Sequence, residues 1–400
     1  MSIVSTSSLD LGFARSNASV NKRGLLLRFL RAAQPVSRSE LAERLKIDKS
    51  TVTEYIKPLI DKNIVLEDKL DTKELGRRSR VLSYNDKSIY FIGVNLGVRR
   101  SQVGLTTLKG DVFDEEDFET PEDPKLALRM ARESITKIID KYPERKLELI
   151  GVSVPGITDN ARRELVYAPN LNWKNINVAD ALSVGDSPIV VENDSTAAAM
   201  YEARVRIRST NDGLLSNFIL VRSGTGIGVG LVIGSEVFRG SGKSIGSAGE
   251  FGHMTIVAGG KPCVCGNRGC WEKYGSAAAA ASLYIGNRSL RHGETAPRFI
   301  EIVTKAQNGD NRSRRTLEMI GDYLGIGIAN VIMGIGIPKV IVSGRLVYGW
   351  EFIKQPMDEA IKRSIVGKTE GWSVEAGSTA GSAIGGALEV AVEEFLATVQ

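Results

Sequence analysis

The sequence predicts an α/β protein in two parts: a winged helix-turn-helix over residues 20–86, behind a short segment 1–19, and a two-lobed α/β domain over 87–400. Three observations carry this. Charge is segregated, with 17 Lys and Arg against 11 Asp and Glu in residues 1–90, and 35 against 36 in the rest of the chain. The texture changes near residue 88, from helical apolar spacing to strands that alternate with helices and Gly-rich turns. All three cysteines, Cys263, Cys265 and Cys270, fall within eight positions, ten residues after His253. At 42% hydrophobic and 25% charged residues, 400 residues are enough for two or three domains with substantial cores, and disorder is not the default expectation.

In the basic part, Leu26, Leu27, Leu30 and Ala33 have the spacing of a first helix, and Gln34-Pro35 stops it. Ser37 or Ser39 can cap the next helix, SELAERL, whose Leu41, Ala42 and Leu45 form an inward stripe. A short KID connection leads to a third helix that starts at Lys49 and turns Val52 and Ile56 inward. Lys49, Ser50, Thr51 and Thr53 then stand at the end that enters a major groove, and Arg38 and Lys57 join them as candidate DNA contacts. Pro58 lies inside this pattern and is expected to kink or shorten the helix. IVLED and SRVLSYN read as strands around DTKELGRR, so Arg77 and Arg78 sit on a wing that can reach the DNA backbone or minor groove. A net positive segment of this shape fits double-stranded operator DNA better than it fits a protein-binding adaptor.

Beyond residue 88, YFIGVNLG and SQVGLTTLKGDVF suggest a hairpin, LALRMARESITKIIDKY a helix, LELIGVSVPG and SPIVVEN strands, and STAAAMYEARVR a helix. FILVRSGTGIGVGLVIGSEVFRG reads as a glycine-turned hairpin and PKVIVSG as a further strand. The lobes are expected at about 87–205 and 206–385, followed by a C-terminal helix at about 386–400. LGIGIANVIMGIGIP, at 324–338, is broken by Asn330 and ends at a proline, so it reads as a buried helix. With no basic start leading into an apolar run and no uninterrupted apolar stretch of about 18 residues, the expected location is the cytoplasm, without membrane insertion.

VSVPG (152–156), ENDSTAAA (192–199), GTGIGVGLVI (224–233) and E-x-x-G-H followed by C-x-C-G-x-x-G-C-x-E carry a resemblance. They resemble the ROK family of repressors, uncharacterised frames and sugar kinases, over essentially the whole chain, with the winged helix matching its repressor branch. The resemblance implies an actin-like, ribonuclease-H-like two-lobed fold.

An odd number of clustered cysteines makes a poor disulfide framework. One imidazole and three thiolates make a closed tetrahedral set, so His253, Cys263, Cys265 and Cys270 are expected to hold one structural Zn²⁺ per chain, with no position left for a catalytic water. Gly259, Gly260, Gly266 and Gly269 suit a short loop folded around it, whereas His292 has no such context. An imidazole with one nitrogen on the metal can still aim its other N–H at a sugar hydroxyl.

The resemblance implies sugar contacts at Asn193, Asp194, Glu250, His253 and Glu272, where carboxylates accept hydrogen bonds from adjacent hydroxyls. In the family's kinases the counterpart of Asp194 is the general base, although Asp194 and Ser195 could equally cap the helix they precede. Family kinases carry Asp-x-Gly-Gly-Thr at the first phosphate turn, where this chain has Asn95-Leu-Gly97-Val98-Arg99. GTGIG keeps the second phosphate-type turn but is also a competent hairpin. The expected function is a sugar-responsive transcriptional regulator, a repressor without catalytic residues, acting as a homodimer or tetramer. The alternative is an ATP-dependent sugar kinase with an appended DNA-binding domain.

Overall fold

The structure, a computed structural model, describes residues 18–70, 79–209, 217–240, 248–286, 295–379 and 382–399. Two compact units are present, one reaching to Asn85 and including Leu396 onward, the other spanning Asp86–Phe395.

In the first unit, α1 (Ala18–Ala33) is followed by β1 (Val36–Ser37), α2 (Arg38–Leu45), α3 (Lys49–Asp61), β2 (Val65–Leu70) and β3 (Ser79–Tyr84). Leu26, Leu27, Leu30, Leu41, Val52 and Ile56 are fully buried, so the three helices close one core. Of the two capping candidates it is Ser37 that caps α2. Its Oγ accepts from the Glu40 N–H at 3.2 Å, and the Glu40 carboxylate accepts from the Ser37 N–H at 3.0 Å. The strands form a sheet of order β1-β3-β2. Contrary to expectation, α3 is not cut short at Pro58 but runs to Asp61. The proline falls in the last turn, where one N–H is forgone while buried Leu59 and the Lys62 N–H bonded to the Pro58 carbonyl (3.1 Å) hold the helix together. Arg77 and Arg78 lie outside the described residues.

The second unit opens with β4 (Ile89–Leu96), β5 (Arg100–Thr106), β6 (Val112–Glu119), α4 (Pro124–Lys141) and β7 (Lys146–Val154). Three short strands, β8 (Ile157–Thr158), β9 (Glu164–Ala168) and β10 (Trp173–Asn177), form a small sheet of their own before α5 (Val178–Leu182), β11 (Ile189–Asn193) and α6 (Asp194–Ser209). The main sheet has order β11-β7-β4-β5-β6, antiparallel through β4, β5 and β6 and parallel through β4, β7 and β11.

A second sheet repeats that plan. It uses β12 (Phe218–Ser223), β13 (Ile227–Ile233), β14 (Glu236–Phe238), β15 (Lys339–Gly344) and β16 (Ser373–Ala376) in the order β14-β13-β12-β15-β16, with three strands antiparallel and the added pairs parallel. Between β14 and β15 lie α7 (Glu272–Gly275), α8 (Ala277–Ile285), α9 (Phe299–Gln307) and α10 (Asn311–Ile335), and α11 (Trp350–Arg363) precedes β16. Among the described helices α10 alone is long and apolar enough to cross a membrane by length and composition. It buries Leu317, Ile320, Leu324, Ile328 and Val331 in the lobe core and packs on α11.

The helix that ends each half crosses to the other half. α6 packs on β12 and β13, so the division expected near residue 205 runs through a helix that belongs with the second sheet. α12 (Ser382–Thr398) starts earlier than expected and lies on the first sheet, where Gly93 and Gly151 make room for it. A Cβ on Gly93 would stand 2.6 Å from the Leu388 amide nitrogen, and one on Gly151 2.5 Å from that of Ala391. The two crossing helices meet where Gly386 faces Ala197 and Gly385 faces Tyr201.

Candidate functional site

A cleft of 780 Å³ opens between the two sheets, and α6 begins on its wall. Gly228 and Gly230 on β13 seat that helix. A Cβ on Gly228 would lie 1.9 Å from Ser195 Oγ, and one on Gly230 2.6 Å from Ala199 Cβ. Gly228 and Gly230 of GTGIGVG therefore have a packing reason to be there, independent of any phosphate.

The cap of α6 is Asn193, not Asp194 or Ser195. Its Oδ1 accepts from the N–H groups of Ser195 (2.8 Å) and Thr196 (3.1 Å), and its Nδ2 donates to the Gly156 carbonyl (2.9 Å). Asp194 is left facing the cleft, where Oδ2 accepts from Arg222 Nη1 at 2.5 Å and Oδ1 from Ser195 Oγ at 3.1 Å. Nothing local in the sequence pairs Arg222 with Asp194, since they meet only because α6 crosses to β12.

Glu250 and His253 share one 3-10 turn, Glu250–His253, pressed flat on β13. Gly252 permits this, because a Cβ there would stand 1.9 Å from the Ile227 carbonyl oxygen. Burial, and then the negative charges of Asp194 and Glu272, push the Glu250 carboxyl up to about 7. Glu272 opens α7 with its carboxylate against Gly226, whose replacement by any larger residue would put a Cβ 2.4 Å from Oε2. Asn170, from the turn before β10, closes on the same point and also lines the cleft.

The ligand atoms of His253, Cys263, Cys265 and Cys270 all lie within 4.8 Å of one another. His253 Nδ1 is 3.6 Å from Cys263 Sγ, and Cys265 Sγ is 3.7 Å from Cys270 Sγ. A tetrahedral ion bonded at about 2.3 Å to sulfur and about 2.05 Å to nitrogen requires N···S near 3.6 Å and S···S near 3.8 Å, so this donor set fits one. The loop is drawn together by Gly269 at φ +77°, where a Cβ would collide with the Val257 carbonyl at 1.8 Å, and by the Cys263 N–H bonded to the Asn267 carbonyl at 2.9 Å. Burial raises the thiols of Cys263 and Cys270, so a cation is what would draw off their protons. Trp271 stands between Cys270 and Glu272, fully buried, and its Nε1 donates to the Tyr323 carbonyl of α10 at 2.9 Å. One indole thus anchors both the metal-ligand cluster and the cleft. The free nitrogen of His253, Nε2, is directed toward Glu250, 3.7 Å from Oε2. His292 lies outside the described residues.

Residues 91–394 match the ROK family, and residues 21–65 match a winged helix-turn-helix DNA-binding domain. The chain belongs to the ROK family. The xylose repressor of Bacillus spizizenii is 32% identical to it over 332 residues, covering 82% of this chain and 83% of that protein. The DNA-binding transcriptional dual regulator NagC of Escherichia coli is 28% identical over 320 residues, covering 78% and 77%. A crystal structure of a ROK family transcriptional regulator, a homologue of the E. coli MLC protein, matches with a TM-score of 0.76 at 22% identity over 94% of this chain and 96% of that one. A ROK family glucokinase from Streptomyces griseus, in complex with glucose and AMPPNP, matches at 0.63 and 25% identity over 76% and 99%.

At the first of the two turns the resemblance pointed to, an amide stands in place of the expected acid. Asn95, where family kinases carry an acid, is buried and bonded to Gln102 Oε1 (3.3 Å) and to Ser153 Oγ (3.1 Å), knitting β4 to β5 and β7. On the DNA-binding side, Lys49, Ser50, Thr53 and Lys57 are exposed along α3 and Thr51 is half-buried. Thr53 Oγ1 donates to the Lys49 carbonyl at 2.9 Å, which leaves its lone pairs and methyl for a partner. Arg38 is already engaged, 2.7 Å from Glu67 Oε1 on β2. Asn170, Arg222 and Arg345 line the cleft without any motif to mark them, because each is delivered by a different element.

Proposed function

We propose that this ROK protein is a cytoplasmic, sugar-responsive transcriptional repressor that binds a palindromic operator as a homodimer, with α3 in the major groove and a structural Zn²⁺ on His253, Cys263, Cys265 and Cys270. One observation carries the reading. The chain joins a winged helix with exposed basic and hydroxyl groups on α3 to a cleft lined with carboxylates, while Asn95 occupies the place of the metal-managing acid. Phosphoryl transfer needs that acid to hold Mg²⁺ at the first turn, and a neutral amide locked between Gln102 and Ser153 cannot take its part.

In this reading Asp194, Glu250 and Glu272 accept hydrogen bonds from sugar hydroxyls and His253 Nε2–H donates one, while Asn193 holds the start of α6 in place. The ion, when bound, cross-links the loop and fixes the imidazole tautomer, and four protein ligands leave it no water to activate. The sugar-contact set and the DNA contacts at Lys49, Ser50, Thr51, Thr53 and Lys57 are assignments of this proposal, supported by placement and exposure. The xylose repressor relative makes xylose the first sugar to try.

The test is an electrophoretic mobility shift on the DNA upstream of the chain's own gene, with a panel of sugars. Binding that a sugar abolishes or strengthens is expected, and Glu250→Ala should remove that response while sparing sugar-free binding. Operator binding that persists after residues 1–86 are deleted would sink the assignment.

A further inference from the structure

The metal-ligand cluster is built asymmetrically. Cys263 and Cys270 are buried, whereas Cys265 is half-buried on a turn where Val264, Gly266, Asn267 and Arg268 are exposed. The Gly266 N–H bonded to the Cys263 carbonyl (3.1 Å) closes that turn, and an isolated bridge between Pro262 and Arg268 ties its ends together. Cys270 is held from behind, bridged to Thr255 and followed by the fully buried Trp271. Cys265 Sγ nevertheless stands only 3.7 Å from Cys270 Sγ. A sulfur on an accessible turn thus faces a sulfur fixed in the core, with Gly266 (φ +91°) and Gly269 (φ +77°) between them in the chain.

Thiolate is both the metal-binding and the nucleophilic form of cysteine, and access and a second thiol within reach decide which sulfur is oxidised and how far. We propose that Cys265 and Cys270 are a peroxide-reactive pair whose oxidation to a disulfide dismantles the metal-ligand cluster. The Cys265 sulfur attacks a hydroperoxide, breaks its O–O bond, releases water or an alcohol, and becomes a sulfenic acid. The Cys270 thiolate then attacks that sulfur. The S–S bond forms, the S–O bond breaks, and the departing hydroxide takes a proton from solvent. The two thiolates give up two electrons, the hydroperoxide gains them, and two protons are consumed. From 3.7 Å the sulfurs need to close to about 2.05 Å, and the Cys265 turn is the part that gives. His253 and Cys263 alone, half of the ligand set, then hold a cation far more weakly. The proposal rests on the zinc reading for the cluster, and its consequence for the cleft rests on the sugar-responsive reading. His253 loses the bond that orients its ring, and Glu272, whose Oε1 lies 3.2 Å from Cys263 Sγ, loses a fixed neighbour.

Treatment of the zinc-loaded full chain with hydrogen peroxide tests the pair. The ion should pass to a colorimetric chelator, and peptide mass spectrometry without reduction should find Cys265 joined to Cys270 while Cys263 remains a thiol. Dithiothreitol with added Zn²⁺ should reverse both changes. Cys265→His keeps a metal ligand but removes the sulfur, and should release zinc about tenfold more slowly. Zinc retained under peroxide that oxidises free cysteine, a disulfide through Cys263, or release as fast in Cys265→His overturns the proposal. Should Cys265→His fail to bind zinc, the disulfide mapped in the parent protein decides the matter. A parent chain that takes up no zinc removes the zinc reading instead, and the pair then stands or falls on the disulfide alone. In calorimetry the oxidised protein is expected to bind xylose roughly tenfold more weakly than the zinc-loaded form. Equal affinity in the two forms overturns the coupling to the cleft, and xylose bound by neither counts against the sugar-responsive reading, not against the pair.

Discussion

At pH 7 Glu250 sits at its midpoint, because burial beside Asp194 and Glu272 raises its carboxyl from 4.5 to about 7. A folded-state value above the unfolded one means that its contribution to stability is fully present below about pH 4.5 and is lost as the pH rises through 7. In zinc-free protein, Glu250→Gln should therefore match the parent near pH 4 and exceed it at pH 8, by on the order of 3 kcal/mol. Urea unfolding of both proteins at the two pH values measures this. Equal stability of the pair at pH 8 would contradict the shift. The metal ligands bear on stability as well. Purified protein should carry about one zinc per chain, and Cys265→Ser or Cys270→Ser should lose it and lower the melting temperature, as metal analysis and a thermal scan will report. This cluster is legible in the sequence because its four ligands occupy positions 253 to 270 and differ in chemistry from everything around them. Arg222 and Asn170 are not, since ordinary residue types become site residues only when remote elements bring them together.

Among the elements, β13 and α6 fit each other through absent side chains. Gly228→Val would drive a branched side chain into Ser195, displacing the start of α6 and with it Asp194, at a cost of about 3 kcal/mol. Chemical denaturation should show that loss, and an unchanged midpoint would mean the helix can shift freely. On α3, Lys57→Ala should weaken DNA binding across sequences and reduce the salt slope by about 1, whereas Thr51→Ala should change sequence preference, as mobility shifts at several salt concentrations will show. The long periodic helices and the fully buried β4 follow directly from apolar spacing. β6 does not, for an edge strand reading VFDEEDFE buries none of its residues fully and gives hydrophobicity little to mark. The small sheet of β8, β9 and β10 escapes for a related reason, its strands being two to five residues long.

For the whole molecule, any closing of the cleft by a ligand would be felt where α6 and α12 cross, because each helix is packed on the sheet of the opposite half. The contact there is glycine against helix, with a Cβ on Gly386 standing 3.0 Å from the Ala197 carbonyl carbon. Gly386→Val should stiffen or displace this crossing and blunt the sugar response of operator binding while sparing sugar affinity measured by calorimetry. A full response in the variant would place the moving contact elsewhere. The matching strand orders of the two sheets also give the cleft a formal symmetry. The turn between β4 and β5 and the turn between β12 and β13 occupy the same place in their sheets, and both line the cleft. Equivalent in topology, they differ in content, for the second leads into Gly228 and Gly230, on which a helix rests, while the first carries Asn95 and Arg99. A ligand in the cleft therefore meets two matching frames of unlike chemistry, and its two ends are not interchangeable.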